Sequence, residues 1–156
     1  MTSPLYQTIS EDLKTAMRMK ADKIEISTLR LISAAVKDRD IAARAEDRCG
    51  GITDEEVLAV LAKMVKQREE SAKTYEDAGR VELAEQERRE VEVVSRYLPK
   101  QLSDDEIESA VDNVIAEIGA DGLKDIGKCM GALKARYHGA MDFSKANQRV
   151  KARLAG

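Results

Sequence analysis

The chain has 156 residues and a formal charge of −3, with no Trp, one Phe, four Tyr and two Pro. A chain of this length buries roughly 70% of the surface its unfolded form exposes, so it requires no disulfide or metal staple. Ala, Leu, Glu, Lys and Arg abound, and these residues lose little rotamer freedom in a helix, which biases the chain towards helix rather than sheet and predicts an all-α protein.

The first helix is expected from about Ser3 to Lys20, with Ser3 as its cap and Pro4 at its first position. Leu5, Ile9, Leu13, Ala16 and Met17 fall on one face of it. Asp22 opens a second helix, and Glu25 three residues on predicts a capping box. Its apolar stripe is Leu29, Ile32, Ala35 and Val36, fading into the charged stretch that ends at Cys49-Gly50-Gly51. Thr53 and Glu56 form another capping box, stapled by Ile52 and Val57. That third helix carries Val57, Leu61, Met64, Val65 and Tyr75 before Ala78-Gly79 ends it. A fourth returns from Val81 to Tyr97 with Leu83, Val91, Val94 and Leu98 inward. So short a turn makes Thr53 to Tyr97 a long antiparallel hairpin.

Pro99 stops the chain, because the residue before a proline is pushed out of the helical region. The expected boundary therefore separates an N-terminal helical domain, residues 1–98, from a small three-helix domain, residues 99–156. Ser103 and Glu106 cap the fifth helix, stapled by Leu102 and Ile107. Its core side is Ile107, Ala110, Val111, Val114, Ile115 and Ile118, and Gly119 ends it. The sixth runs from about Lys124 to Tyr137, and the seventh from Phe143 to Leu154 after Asp142.

Cys49 and Cys129 lie 80 residues apart with no C-x-x-C pattern and one His in the whole chain, which argues against a disulfide framework and a zinc site. The longest apolar run, Val57 to Ala62, falls far short of the ~20 residues a membrane span needs. Met1 to Gln7 holds neither a basic n-region nor an apolar h-region. The expectation is a cytoplasmic protein with no cofactor, no metal and no membrane contact.

Charge is unevenly spread. Residues 124 to 156 hold eight basic side chains opposed by Asp125 and Asp142 alone, a local +6 that favours an anionic partner. In the sixth helix, Ile126, Met130, Leu133 and Tyr137 form one stripe expected to be buried. Gly127 and Gly131 lie towards the other side with Lys124, and Lys128 and Lys134 flank them. Two interior glycines cost roughly 1 kcal/mol each relative to Ala, so something should offset them. A phosphate brought close to the backbone would do so, and so would a neighbouring helix packed on the glycines. The candidate nucleic-acid contacts are Lys124, Gly127, Lys128, Gly131 and Lys134, with Lys145, Arg149 and Arg153 added on charge and helix position.

Gly122 to Cys129 comes within one residue of a phosphate-binding P-loop, but Cys129 replaces the hydroxyl that would bind magnesium, and a helix rather than a strand precedes it. His138 sits at a helix end, where a cation suits the dipole. The carboxylates between Glu82 and Arg96 alternate with Lys and Arg as a solvated face does. No set of residues supplies a nucleophile, a base and an oxyanion hole, so no catalytic residue is assigned.

Three stretches stand out together: Ala78-Gly79-Arg80, then Tyr97-Leu98-Pro99-Lys100-Gln101-Leu102-Ser103, then Gly127-Lys128-Cys129-Met130-Gly131-Ala132-Leu133. With these in this order, the chain resembles the stand-alone GatB/YqeY family over nearly its full length. This resemblance implies an N-terminal helical domain followed by three helices similar to the tail of the B subunit of tRNA-dependent amidotransferases. That tail contacts tRNA while the chemistry lies in other domains. The resemblance thus implies tRNA as partner, with a label (carbon–nitrogen ligase with glutamine as nitrogen donor) inherited from the larger enzyme. The readings open on sequence are a non-catalytic tRNA-binding module, a helical adaptor for a protein partner in translation, and a subunit active only within an amidotransferase-like assembly.

Overall fold

The computed structural model describes residues 3–46 and 50–155. Among them every regular element is helical, so the all-α expectation holds. The expectation about Cys49 falls outside the described residues. The helices are α1 (Pro4–Arg18), α2 (Lys23–Ala45), α3 (Asp54–Asp77), α4 (Val81–Ser95), α5 (Asp104–Ile118), α6 (Ile126–Arg136) and α7 (Phe143–Ala155). They gather into two compact units, Met1–Leu98 and Pro99–Gly156.

The N-terminal unit is built on α1 to α4. The Ser3 hydroxyl accepts from the Tyr6 N–H and donates to Asp54, which ties the start of α1 to the start of α3. Asp22 caps α2 through the Ile24 N–H, but the expected reciprocal bond from Glu25 is absent. Glu25 is drawn instead to the Arg96 guanidinium, a full positive charge that outcompetes a backbone N–H. Thr53 and Glu56 do form the complete capping box. Ile9, Leu29, Ile32, Val36, Ile52, Val57, Leu61 and Val94 make the core, each 0–2% exposed. Burial of each such side chain is worth about 1.5–3 kcal/mol. Between α2 and α3 the chain turns at Gly51, whose φ is +71°. A Cβ there would lie 2.2 Å from Asp40 Oδ1, the oxygen that accepts the Ile52 N–H at 2.8 Å.

The α3–α4 hairpin closes through Gly79, with φ +75°; the Arg80 N–H reaches Tyr75 O and the Gly79 N–H reaches Glu76 O. One inward expectation fails here. Leu83 is 39% exposed although it lies at the right helical angle, and Val81, which opens the helix, is 55% exposed. Both sit beside the hairpin turn, outside the core cluster shared with α1 and α2, where buried Ala84 and Ala72 take the inner positions. Glu90 departs from the solvated face expected for it. It is 8% exposed, and loss of water pushes its carboxyl above the usual range while Arg68 partly offsets that.

In the C-terminal unit, Ser103 and Glu106 form the second capping box and hold the start of α5. Val111, Val114, Cys129, Leu133, Ala146 and Val150 are 0–1% exposed and join the three helices. The Leu102 N–H donates to Ala140 O at 2.8 Å, and Gln101 Nε2 to Gly139 O at 2.6 Å, so the turn after α6 is pinned to the segment before α5.

Candidate nucleic-acid interface

The α6 helix starts two residues later than the periodicity suggested. Gly122 accepts the Asp125 N–H at 3.0 Å, and Leu123–Asp125 form a 3₁₀ turn ahead of Ile126. Asp125 is 9% exposed, and its Oδ2 accepts the Asp121 N–H at 3.2 Å. That bond fixes the direction in which α6 leaves the turn.

The inner side of α6 centres on Cys129 and Leu133, both 0% exposed, with Ile126, Met130 and Tyr137 packed beside them. The expected stripe is therefore rotated towards Cys129. The helix packs against both α5 and α7, which widens the buried arc, and a thiol behaves there as a small apolar group. Burial raises the Cys129 pKa, with Asp125 adding to it, which disfavours the thiolate.

The outer side is bare. Gly127 and Gly131 are exposed, and a Cβ added at either meets no atom within 4 Å. No helix of this unit packs on the glycines. Around them stand three exposed lysines. Lys124 Nζ lies 3.9 Å from Asp121 Oδ1 and Lys128 Nζ 3.8 Å from Asp125 Oδ1, beyond tight hydrogen-bond distance. Lys134 forms no ion pair among the described residues. Leu123, 55% exposed in the 3₁₀ turn ahead of α6, was not singled out in the sequence, where a lone leucine carries no signal.

The other three predicted contacts lie elsewhere, on α7 against α5. Lys145 Nζ meets Asp104 Oδ1 at 3.0 Å, Arg149 pairs with Glu108, and Arg153 meets Asp112 Oδ2 at 2.9 Å. The structure thus brings Lys124, Gly127, Lys128, Gly131 and Lys134 together and separates Lys145, Arg149 and Arg153 from them. Residues 99–156 hold nine basic and nine acidic side chains, so this unit carries no net charge. The signal for the pairing was readable: Asp104, Glu108 and Asp112 repeat every fourth residue, as the three cations do.

Other places offer less chemistry. A groove of about 430 Å³ in the N-terminal unit is lined by Asp12, Thr15, Glu25, Arg96 and Tyr97 among others. Its charged groups satisfy one another, since Tyr97 OH donates to Asp12 at 2.6 Å and Arg96 pairs with Glu25. Loss of water and then the Asp12 bond drive the Tyr97 phenol well above its ordinary range. Among the described residues no group of three or more His, Cys, Asp or Glu could hold a metal ion. Among the described residues no helix is long and apolar enough to cross a membrane.

Residues 6–154 match the family model of the YqeY-like proteins. The chain belongs to that family. Similar YqeY-like relatives carry the name altered inheritance of mitochondria protein 41, mitochondrial. That of Clavispora lusitaniae is 34% identical over 119 residues, 75% of this chain and 66% of the relative. That of Komagataella phaffii is 32% identical over 117 residues, 71% of this chain and 60% of the relative. The chain thus spans under two thirds of the length of these relatives. Their mitochondrial names overturn the cytoplasmic expectation. That expectation rested on tests for secretion and membrane insertion, and neither test distinguishes one internal compartment from another.

Proposed function

We propose that this YqeY-like chain is a non-catalytic accessory module that holds a nucleic-acid phosphate backbone, that of tRNA, on the outer face of α6. One observation carries the reading. Gly127 and Gly131 expose helix backbone that nothing in the unit covers, between lysines that are at most loosely paired. Phosphate contact offsets the helix propensity lost at two glycines, and lysine supplies the charge. The tail-domain resemblance supports tRNA as the RNA class. The carbon–nitrogen ligase label would then describe an assembly in which this chain handles RNA and other subunits carry the chemistry.

The test is tRNA binding by the whole chain across a salt series. Three lysine contacts give a log–log slope of roughly −2 to −3, at about −0.7 to −0.9 per phosphate. Gly131→Leu should weaken binding without changing any charge and without unfolding the unit. Unchanged tRNA affinity in Gly131→Leu would overturn the reading.

A further inference from the structure

The pairing of α5 with α7 is a matched ladder. Asp104, Glu108 and Asp112 occur at four-residue steps, as do Lys145, Arg149 and Arg153, and each cation meets the carboxylate at the same rung. Arg153 also approaches Glu108 at 3.9 Å, linking two rungs. Four residues advance a helix by about 6 Å, so α5 presents single negative charges at a regular spacing, as a nucleic-acid strand does. The pairs lie at the surface. Side-chain exposure runs from 33% at Arg149 to 80% at Asp104, and pairs this exposed contribute little to stability. Three such pairs in register are a poor device for holding a domain together. They are an effective one for cancelling a row of positive charge.

We infer that Asp104, Glu108 and Asp112 form a carboxylate mask, which withholds the Lys145–Arg149–Arg153 row from nucleic acid and confines contact to the α6 face. The inference shares with the proposed function the premise that the C-terminal unit meets a phosphate backbone. Without the mask the unit would carry two cationic rows on two helices and would bind polyanions with less discrimination. With it, a phosphate approaching α7 meets the α5 carboxylates as well as the cations, and the counterion release that drives binding is lost.

The experiment measures binding of the whole chain to an RNA duplex of about 20 base pairs from about 50 to 300 mM salt. In D104N/E108Q/D112N the duplex should bind about tenfold tighter or more near 0.1 M salt, with a slope steeper by roughly 2 to 3, as three contacts are added. Should that variant unfold by circular dichroism, Glu108→Gln alone should give a gain of several-fold and a slope steeper by just under 1. A control, E82Q/E85Q/E92Q, makes the same change in net charge on exposed positions of α4 and should give a much smaller gain. Equal gains in the two triple variants would overturn the inference, and so would affinity and slope unchanged from the parent chain. Repeating the series with Lys128→Glu separates the two readings. A gain that persists while Lys128→Glu itself has no effect supports the mask and sinks the α6 face. A loss on Lys128→Glu with no gain on unmasking does the reverse.

Discussion

Two rows of cations stand on neighbouring helices of the C-terminal unit and end in opposite circumstances. On α6 the lysines surround exposed glycine backbone, and the nearest carboxylates lie 3.8 and 3.9 Å from Lys128 and Lys124. On α7 Lys145, Arg149 and Arg153 each sit against a carboxylate of α5, two of the pairs at 3.0 and 2.9 Å. A positive stretch of sequence is therefore not yet a positive patch. What matters is the charge of the helix packed beside it, and here α5 brings the unit to neutrality.

The largest effect should come from removing the α6 row. Replacing Lys124, Lys128 and Lys134 with Glu together should abolish measurable tRNA binding near 0.1 M salt and flatten its salt dependence, since three phosphate contacts are lost and repelled. Charge reversal of Lys145 should cost far less, because that side chain already spends its charge on Asp104. Equal losses at the two sites would break the comparison.

Next comes the contrast between the two sides of α6. Leu133 is 0% exposed, and Leu133→Ala should destabilise the protein by about 2–5 kcal/mol in denaturant unfolding. Gly131→Ala, on the open side, should instead stabilise it by about 1 kcal/mol, because a Cβ meets nothing there and helix propensity improves. A destabilising Gly131→Ala would mean that the outer face is packed after all.

The smallest effect concerns pH and the helix that carries the masking carboxylates. The Ser103 N–H, and then its hydroxyl, hold the Glu106 carboxyl below its ordinary value of 4.5. A carboxyl with a depressed folded pKa adds stability above the unfolded value and loses it as pH falls through the folded one. Thermal unfolding should therefore show Tm decreasing as pH drops below about 4.5, and Glu106→Gln should shallow that decrease. An identical pH profile in the variant would remove the capping box from the account of how α5 is held.

Much of this molecule was legible in the sequence, for local reasons. Ser3, Thr53 and Ser103 mark helix starts because a hydroxyl beside the first free N–H groups acts within three or four residues. The α6 glycines and lysines share a face because 100° per residue fixes which side chains stand together. Where expectation failed, the deciding partner was distant in sequence. Glu25 left its box for Arg96, 71 residues away, and Arg149 turned to Glu108, 41 residues away. Leu83 stayed exposed because it lies outside the core that α1 and α2 share with the hairpin, although its helical angle was right. Periodicity determines which side chains share a face. Only the packed helices decide which face is covered, and which charges meet a carboxylate before any other anion can, because ion pairing and burial both depend on distance through space.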